Sequence, residues 1–137
     1  MNVISHLTVK IKDIPVESLL FEIHKEDSFS TVLKKYMIEQ NISTSILSMR
    51  TGINKNTLND YRRGTHIPSD FKFIILICIG LQISERKAEY LMSLANMALG
   101  EDFRGMVYRM IINLSFYAGI TVDQGNVILA KYNLPCL

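Results

Sequence analysis

Little in this sequence supports catalysis. Of the 137 residues only two are cysteine, Cys78 and Cys136. They form no Cys-x-x-Cys, and so isolated a pair makes neither a zinc site nor a disulfide framework. His6, His24 and His66 share no metal-ligand spacing. There is no Gly-x-Ser-x-Gly and no glycine-rich phosphate loop. No enzyme, metal or cofactor is therefore expected. Nor does a signal-like segment open the chain. With so few cysteines and seven methionines, this suggests a reducing, cytoplasmic setting. The longest apolar run, FIILICIGL, is about half what a bilayer crossing needs, so it reads as a buried core helix and no membrane is expected.

Apolar residues make up 48% of the chain, enough for a core and too many for disorder. The net charge of +2 says little, but its distribution says more. Between Lys34 and Lys72 there are seven basic residues against three acidic ones, a net +4, so the remainder carries −2. That concentration of positive charge is the footprint a polyanion would require.

Periodicity gives a mainly α reading. HLTVKIK at 6–12 alternates in period two and suggests a short strand. Asp13 and Pro15 then suggest a helix over about 15–26, with a hairpin using LLFEI as its second strand as the alternative. Over 28–40, Phe29, Val32, Leu33, Tyr36 and Met37 form one helical stripe, with Lys34 and Lys35 solvated beside it. Two short helices follow with the same start signal. Ser43 is a cap between Ile42 and Leu47, and Asn54 a cap between Ile53 and Leu58. Gly52 suits the left-handed residue that ends the first of them. A buried helix is expected over about 70–80. Beyond it, Ser84 caps a helix striped by Ala88, Leu91, Met92, Ala95, Ala98 and Leu99 and closed by Gly100. Phe103, Met106, Val107, Met110, Ile111 and Leu114 form another stripe, closed by Gly119. Thr121-Val-Asp-Gln124 is a capping box for a last helix to about Tyr132.

Two short capped helices around a glycine, the second ending in Arg62-Arg63-Gly64, have the layout of a helix-turn-helix. Over 29–84 the sequence resembles the lambda-repressor/Cro-like, or XRE, family of helix-turn-helix transcriptional regulators. The resemblance rests on Leu33, Ser43, Leu47, Gly52-Ile53, Asn54, Thr57, Leu58, Gly64, Pro68 and Gly80-Leu81-Gln82-Ile83-Ser84. Three positions depart from that family's pattern. Thr44 stands where glutamine is usual, Ser48 where alanine is usual, and Arg62 where glutamate is usual. The segments AEYLMSLANMAL and VDQGNVILAKYNLPCL resemble a C-terminal extension found on some XRE-family proteins of Gram-positive bacteria.

The resemblance implies a lambda-repressor-like five-helix DNA-binding core over about 28–99. An N-terminal strand or helix segment over 1–27 precedes it, and a C-terminal helical extension over 100–137 follows. The implied partner is double-stranded DNA, with a recognition helix at about 54–63 in the major groove. In such motifs the start of the second helix reaches base edges. Lys55, Asn56 and Thr57, with Asn59 and Asp60 a turn later, are the expected base contacts. Thr44, Ser45, Arg50, Arg62, Arg63, Thr65 and Lys72 are the expected backbone contacts. Tyr61 is expected in the core, three residues from Leu58. One short helix reads few base pairs, so a homodimeric repressor is expected, with the tail or the N-terminal segment joining the copies. The alternative function is an antitoxin-like protein-interaction module on the same fold, with a protein partner on the C-terminal extension.

Overall fold

The computed structural model describes residues 23–137. The strand expected at 6–12 and most of the helix expected at 15–26 lie outside these residues. Residues 23–26 are not helical: His24–Asp27 closes a turn, with the Asp27 N–H donating to the His24 carbonyl at 3.0 Å. Among the described residues there are seven helices and no strand: α1 (Phe29–Glu39), α2 (Thr44–Thr51), α3 (Lys55–Arg63), α4 (Phe71–Leu81), α5 (Glu85–Leu94), α6 (Phe103–Ala118) and α7 (Val122–Lys131).

Each helix starts on a side chain that accepts an otherwise orphaned backbone N–H. Ser28 and Thr31 form a capping box on α1, and Thr121 and Gln124 form the one on α7. Ser43, Asn54, Asp70, Ser84 and Asp102 cap the rest. The α1 stripe is buried as the spacing requires: Phe29, Val32, Leu33, Tyr36 and Met37 all face inward. Helix α5 stops earlier than its apolar pattern suggests. Asn96 takes a left-handed conformation (φ 60°), and the Met97 N–H returns to the Met92 carbonyl at 2.9 Å, which ends the helix at Leu94 rather than near Gly100. Ala98 is consequently exposed.

Helix α4 organises the core. From Ile74 to Leu81 every residue is buried, because α2, α6 and α7 all pack against it. Helix α1 packs on α3 and α5, and α5 packs on α6. The approach of α2 to α4 is close: a Cβ on Gly80 would lie 2.7 Å from Thr51 Cγ2 and 2.9 Å from Leu47 Cδ1. Cys78 on α4 is fully buried, its thiol pushed up to about 12 by burial, so it behaves as a small hydrophobe.

Helix α6 buries a different face from the expected stripe. Val107 and Ile111 are inside, but Phe103 and Met106 are 54% and 61% exposed, and Tyr108, Ile112 and Ser115 are buried instead. This helix is apolar on most sides, so periodicity alone does not select a face. Two specific contacts do. The Ser115 hydroxyl donates to the Ile79 carbonyl at 2.8 Å inside the core. Gly105 lets the 95–102 segment lie directly on the first turn of α6, a segment Arg109 also holds through a 2.8 Å bond to the Gly100 carbonyl. Val107, Tyr108, Ile111, Ile112 and Leu129 join the same core as α1–α5, so the core runs across Gly100.

A Cβ at Gly105 would fall 1.9 Å from the Gly100 carbonyl oxygen, a backbone atom that cannot swing aside. Gly105→Ala is therefore expected to destabilise the chain by about 1–3 kcal/mol, overpacking outweighing the better helix propensity of alanine. Urea unfolding measures this, and an unchanged midpoint would show that the connection yields freely.

Candidate nucleic-acid interface

The turn between α2 and α3 is fixed by its own residues. Gly52 sits at φ 76°, a conformation that costs glycine little and other residues more, and its N–H closes α2 on the Ser48 carbonyl. The Ser48 hydroxyl donates to the Ile53 carbonyl at 2.6 Å. The Thr51 hydroxyl donates to the Leu47 carbonyl at 2.7 Å and accepts the Ile53 N–H at 3.1 Å. Serine at position 48 thus keeps the small size the family pattern needs and adds a staple across the turn. Leu47, Ile53, Leu58 and Tyr61 are buried beneath it, and the Tyr61 ring meets Phe29 edge-on at 6.0 Å. Tyr61 is a core residue, as its spacing indicates.

With Leu58 and Tyr61 turned inward, α3 presents a polar face. Lys55 and Asn56 are exposed at its start, and Thr57, Asn59 and Asp60 are partly exposed along it. Asn54 Oδ1 accepts the Asn56 N–H at 2.7 Å, which secures the first turn without using the Asn56 side chain. The Asp60 carboxylate lies 3.7 Å from both Arg63 Nη1 and His66 Nδ1. Exposed ion pairs of this length are weak and give way to a better partner. Gly64, at φ 80°, ends the helix. Thr65 Oγ1 then donates to the Asp60 carbonyl at 3.2 Å, and the Ser30 hydroxyl on α1 donates to the Arg62 carbonyl.

Two of the three departures from the family pattern meet in space. Arg62 Nη1 donates to the Thr44 hydroxyl at 2.7 Å, tying the end of α3 to the start of α2. Thr44 is buried and Arg62 half-buried, and Arg62 Nε has no hydrogen-bond partner among the described residues. The short Thr44 side chain leaves room for the long Arg62 to reach it. Their neighbours Ser45 and Arg63 are exposed.

Not every expected backbone contact joins this group. Arg50 Nη1 donates to the Gly80 carbonyl at 2.9 Å, and the residue lines a cleft with Gln82, Ile120 and Thr121. That bond satisfies a carbonyl at the end of α4, a structural task. Lys72 stands exposed in the first turn of α4. One cation that the residue pattern left as simply solvated, Lys34, lines a groove with Asn59, Arg62 and Arg63. No spacing rule links α1 to the end of α3, so only the fold reveals this neighbour.

Among the described residues no helix is long and apolar enough to cross a membrane. No curated protein and no solved structure matches the chain. Residues 32–79, from within α1 to within α4, match the family model described as the Cro/C1-type HTH DNA-binding domain. The segment matched contains the whole of α2, the turn and α3, with the buried faces of α1 and α4 that hold them. Over residues 32–79 the chain therefore carries the pattern of a Cro/C1-type helix-turn-helix DNA-binding domain.

Proposed function

We propose that the protein is a sequence-specific transcriptional regulator, a repressor that acts in the cytoplasm by occupying its site on double-stranded DNA. The observation that carries this reading is the polar outer face of α3, opposite the buried Leu58 and Tyr61 and flanked by basic side chains. In the major groove, Lys55 donates to guanine O6 and N7, and Asn56 bridges adenine N6 and N7. Thr57 meets a thymine methyl, and Asn59 and Asp60 read the next turn. Ser45, Arg63, Thr65 and Lys72 contact phosphates, with Thr44 and Arg62 acting as a bonded pair at the junction of α2 and α3. Arg50 is left out of this set because its guanidinium is bonded to Gly80.

The active species is a homodimer, placing two copies of α3 in successive major grooves about 34 Å apart. Exposed apolar side chains on α6 and α7, Phe103, Met106, Tyr117 and Val127, support a self-association surface there. The same side chains favour the second reading, an antitoxin-like module whose tail holds another protein. Salt-dependent duplex binding by the pure chain supports the regulator. Co-purification of a stoichiometric second protein with no duplex binding supports the module.

Selection from a random duplex library defines the site. Lys55→Ala and Asn56→Ala are each expected to cost about 1–3 kcal/mol on that site and to relax preference at one position. Binding to single-base variants checks this, and two mutants with the wild-type preference profile would remove both residues from base readout.

A further inference from the structure

Lys34 and Lys35 are adjacent in sequence but differ in surroundings. Lys35 is close enough to Asp27 for its charge to help lower that carboxyl's pKa, behind the stronger hydrogen bonds Asp27 accepts from Tyr90 and from the His24 backbone. Lys34 is exposed and lies on the side of α1 facing α3. It is shared by two adjoining open grooves. One, of about 340 Å³, has Asn59, Arg62 and Arg63 as its other lining. The second, of about 570 Å³, runs from Lys34 past Arg62 to Ser43 and Thr44 at the start of α2. Among the described residues no carboxylate lines either groove.

Three cations from two helices therefore surround a channel that begins at Asn59, on the recognition helix. Arg62 is held beside it by the bond one of its nitrogens gives Thr44. The two grooves, about 340 and 570 Å³, have the volume for a hydrated phosphodiester, a water taking roughly 30 Å³. A polyanion lying past the end of α3 would meet Arg62, Arg63 and Lys34 together.

We propose that this channel takes the phosphate backbone of one DNA strand, and that Lys34 on α1 is a further phosphate-anchoring residue. The inference rests on the DNA-binding reading above and extends its footprint from α2 and α3 onto α1. Lys34 carries no base information, because a contact to phosphate positions the protein and leaves sequence preference to the groove-facing side chains.

The test is titration of short duplex DNA across salt concentration with the full chain. The set is wild type, Lys34→Ala, Lys34→Arg, Arg63→Ala and Lys131→Ala, the last being exposed on α7, away from the channel lining. Each phosphate contact contributes a slope of about 0.9 in log K against log salt. Lys34→Ala should lower the slope by that amount, so its deficit shrinks roughly 3–4-fold between about 50 and 200 mM salt. Its base preference and melting temperature should match wild type, Lys34→Arg should restore the slope, and Lys131→Ala should not change it. If Arg63→Ala lowers the slope and Lys34→Ala does not, Lys34 is no anchor and the DNA-binding reading stands. A change in base preference in Lys34→Ala would equally overturn a phosphate-only role. If wild type binds no duplex in a salt-dependent way, both the reading and this inference fall.

Discussion

Ile111→Asp is expected to abolish the cooperative fold, while Met106→Asp on the same helix leaves it standing. Ile111 is 0% exposed, packed within the core that α6 shares with α4 and α7, with its Cγ2 only 3.1 Å from where a Cβ on Gly125 would lie. The aspartate would lose about 1.5–3 kcal/mol of apolar burial. It would also face a penalty of several kcal/mol for an unpaired buried charge. Against a typical total stability of about 5–15 kcal/mol, that is enough to unfold most of the population. Met106 is 61% exposed and buries little. Thermal melts followed by circular dichroism separate the two. An Ile111→Asp chain that melts like wild type would mean α6 does not dock as described. Met106→Asp then serves as the probe of self-association, since it removes an exposed apolar side chain without cost to the core, and sedimentation reads its effect.

That contrast shows where sequence reasoning stops. Both residues fall on one apparent stripe, yet they end on opposite sides of the helix surface. The α1 stripe was readable because polar residues fill its other face, as at Lys34, Lys35 and Glu39. In α6 the apolar residues Phe103, Tyr108, Ile112, Phe116 and Tyr117 spread around the helix, so the period of 3.6 selects no face. The choice is made by tertiary contacts, the Ser115 bond to Ile79 and the approach of Gly100 to Gly105.

The helix-turn-helix was legible for a local reason: caps and glycines act over three or four residues, and Ser43, Gly52, Asn54 and Gly64 each occupy the conformation their chemistry favours. Helix ends set by other means were not. Asn96 ends α5 although Ala98 and Leu99 continue its apolar pattern, because asparagine tolerates the left-handed region and the Met97 N–H then finds the Met92 carbonyl. In the candidate site, Lys55 and Asn56 could be chosen by position on a helix. The Arg62–Thr44 bond, the diversion of Arg50 to Gly80 and the placement of Lys34 beside α3 depend on contacts spanning 18 residues or more, which no periodicity encodes.

The second large effect concerns a chain ending at Gly100. The family match ends at residue 79, which by itself suggests a self-sufficient unit there. The composition of α4 argues otherwise. FKFIILICIGL is apolar on nearly every side, and Ile74 to Leu81 are all buried. Helix α2 packs on one side of it, and α6 and α7 also pack against it. Truncation would bare that face and remove the hydrogen bond that Ser115 gives the Ile79 carbonyl. Restoring each fully buried aliphatic side chain to water costs about 1.5–3 kcal/mol. A few such residues equal the whole stability of a domain this size. The truncated chain is therefore expected to lose its cooperative melt and, with it, duplex binding, since the α2–α3 geometry depends on α4 beneath it. Circular dichroism and a duplex titration of the truncated and full chains, under one set of conditions, measure both. A truncated chain that melts within a few degrees of the full one and keeps the wild-type affinity would show that α6 and α7 are an accessory layer rather than part of the fold that holds the recognition helix.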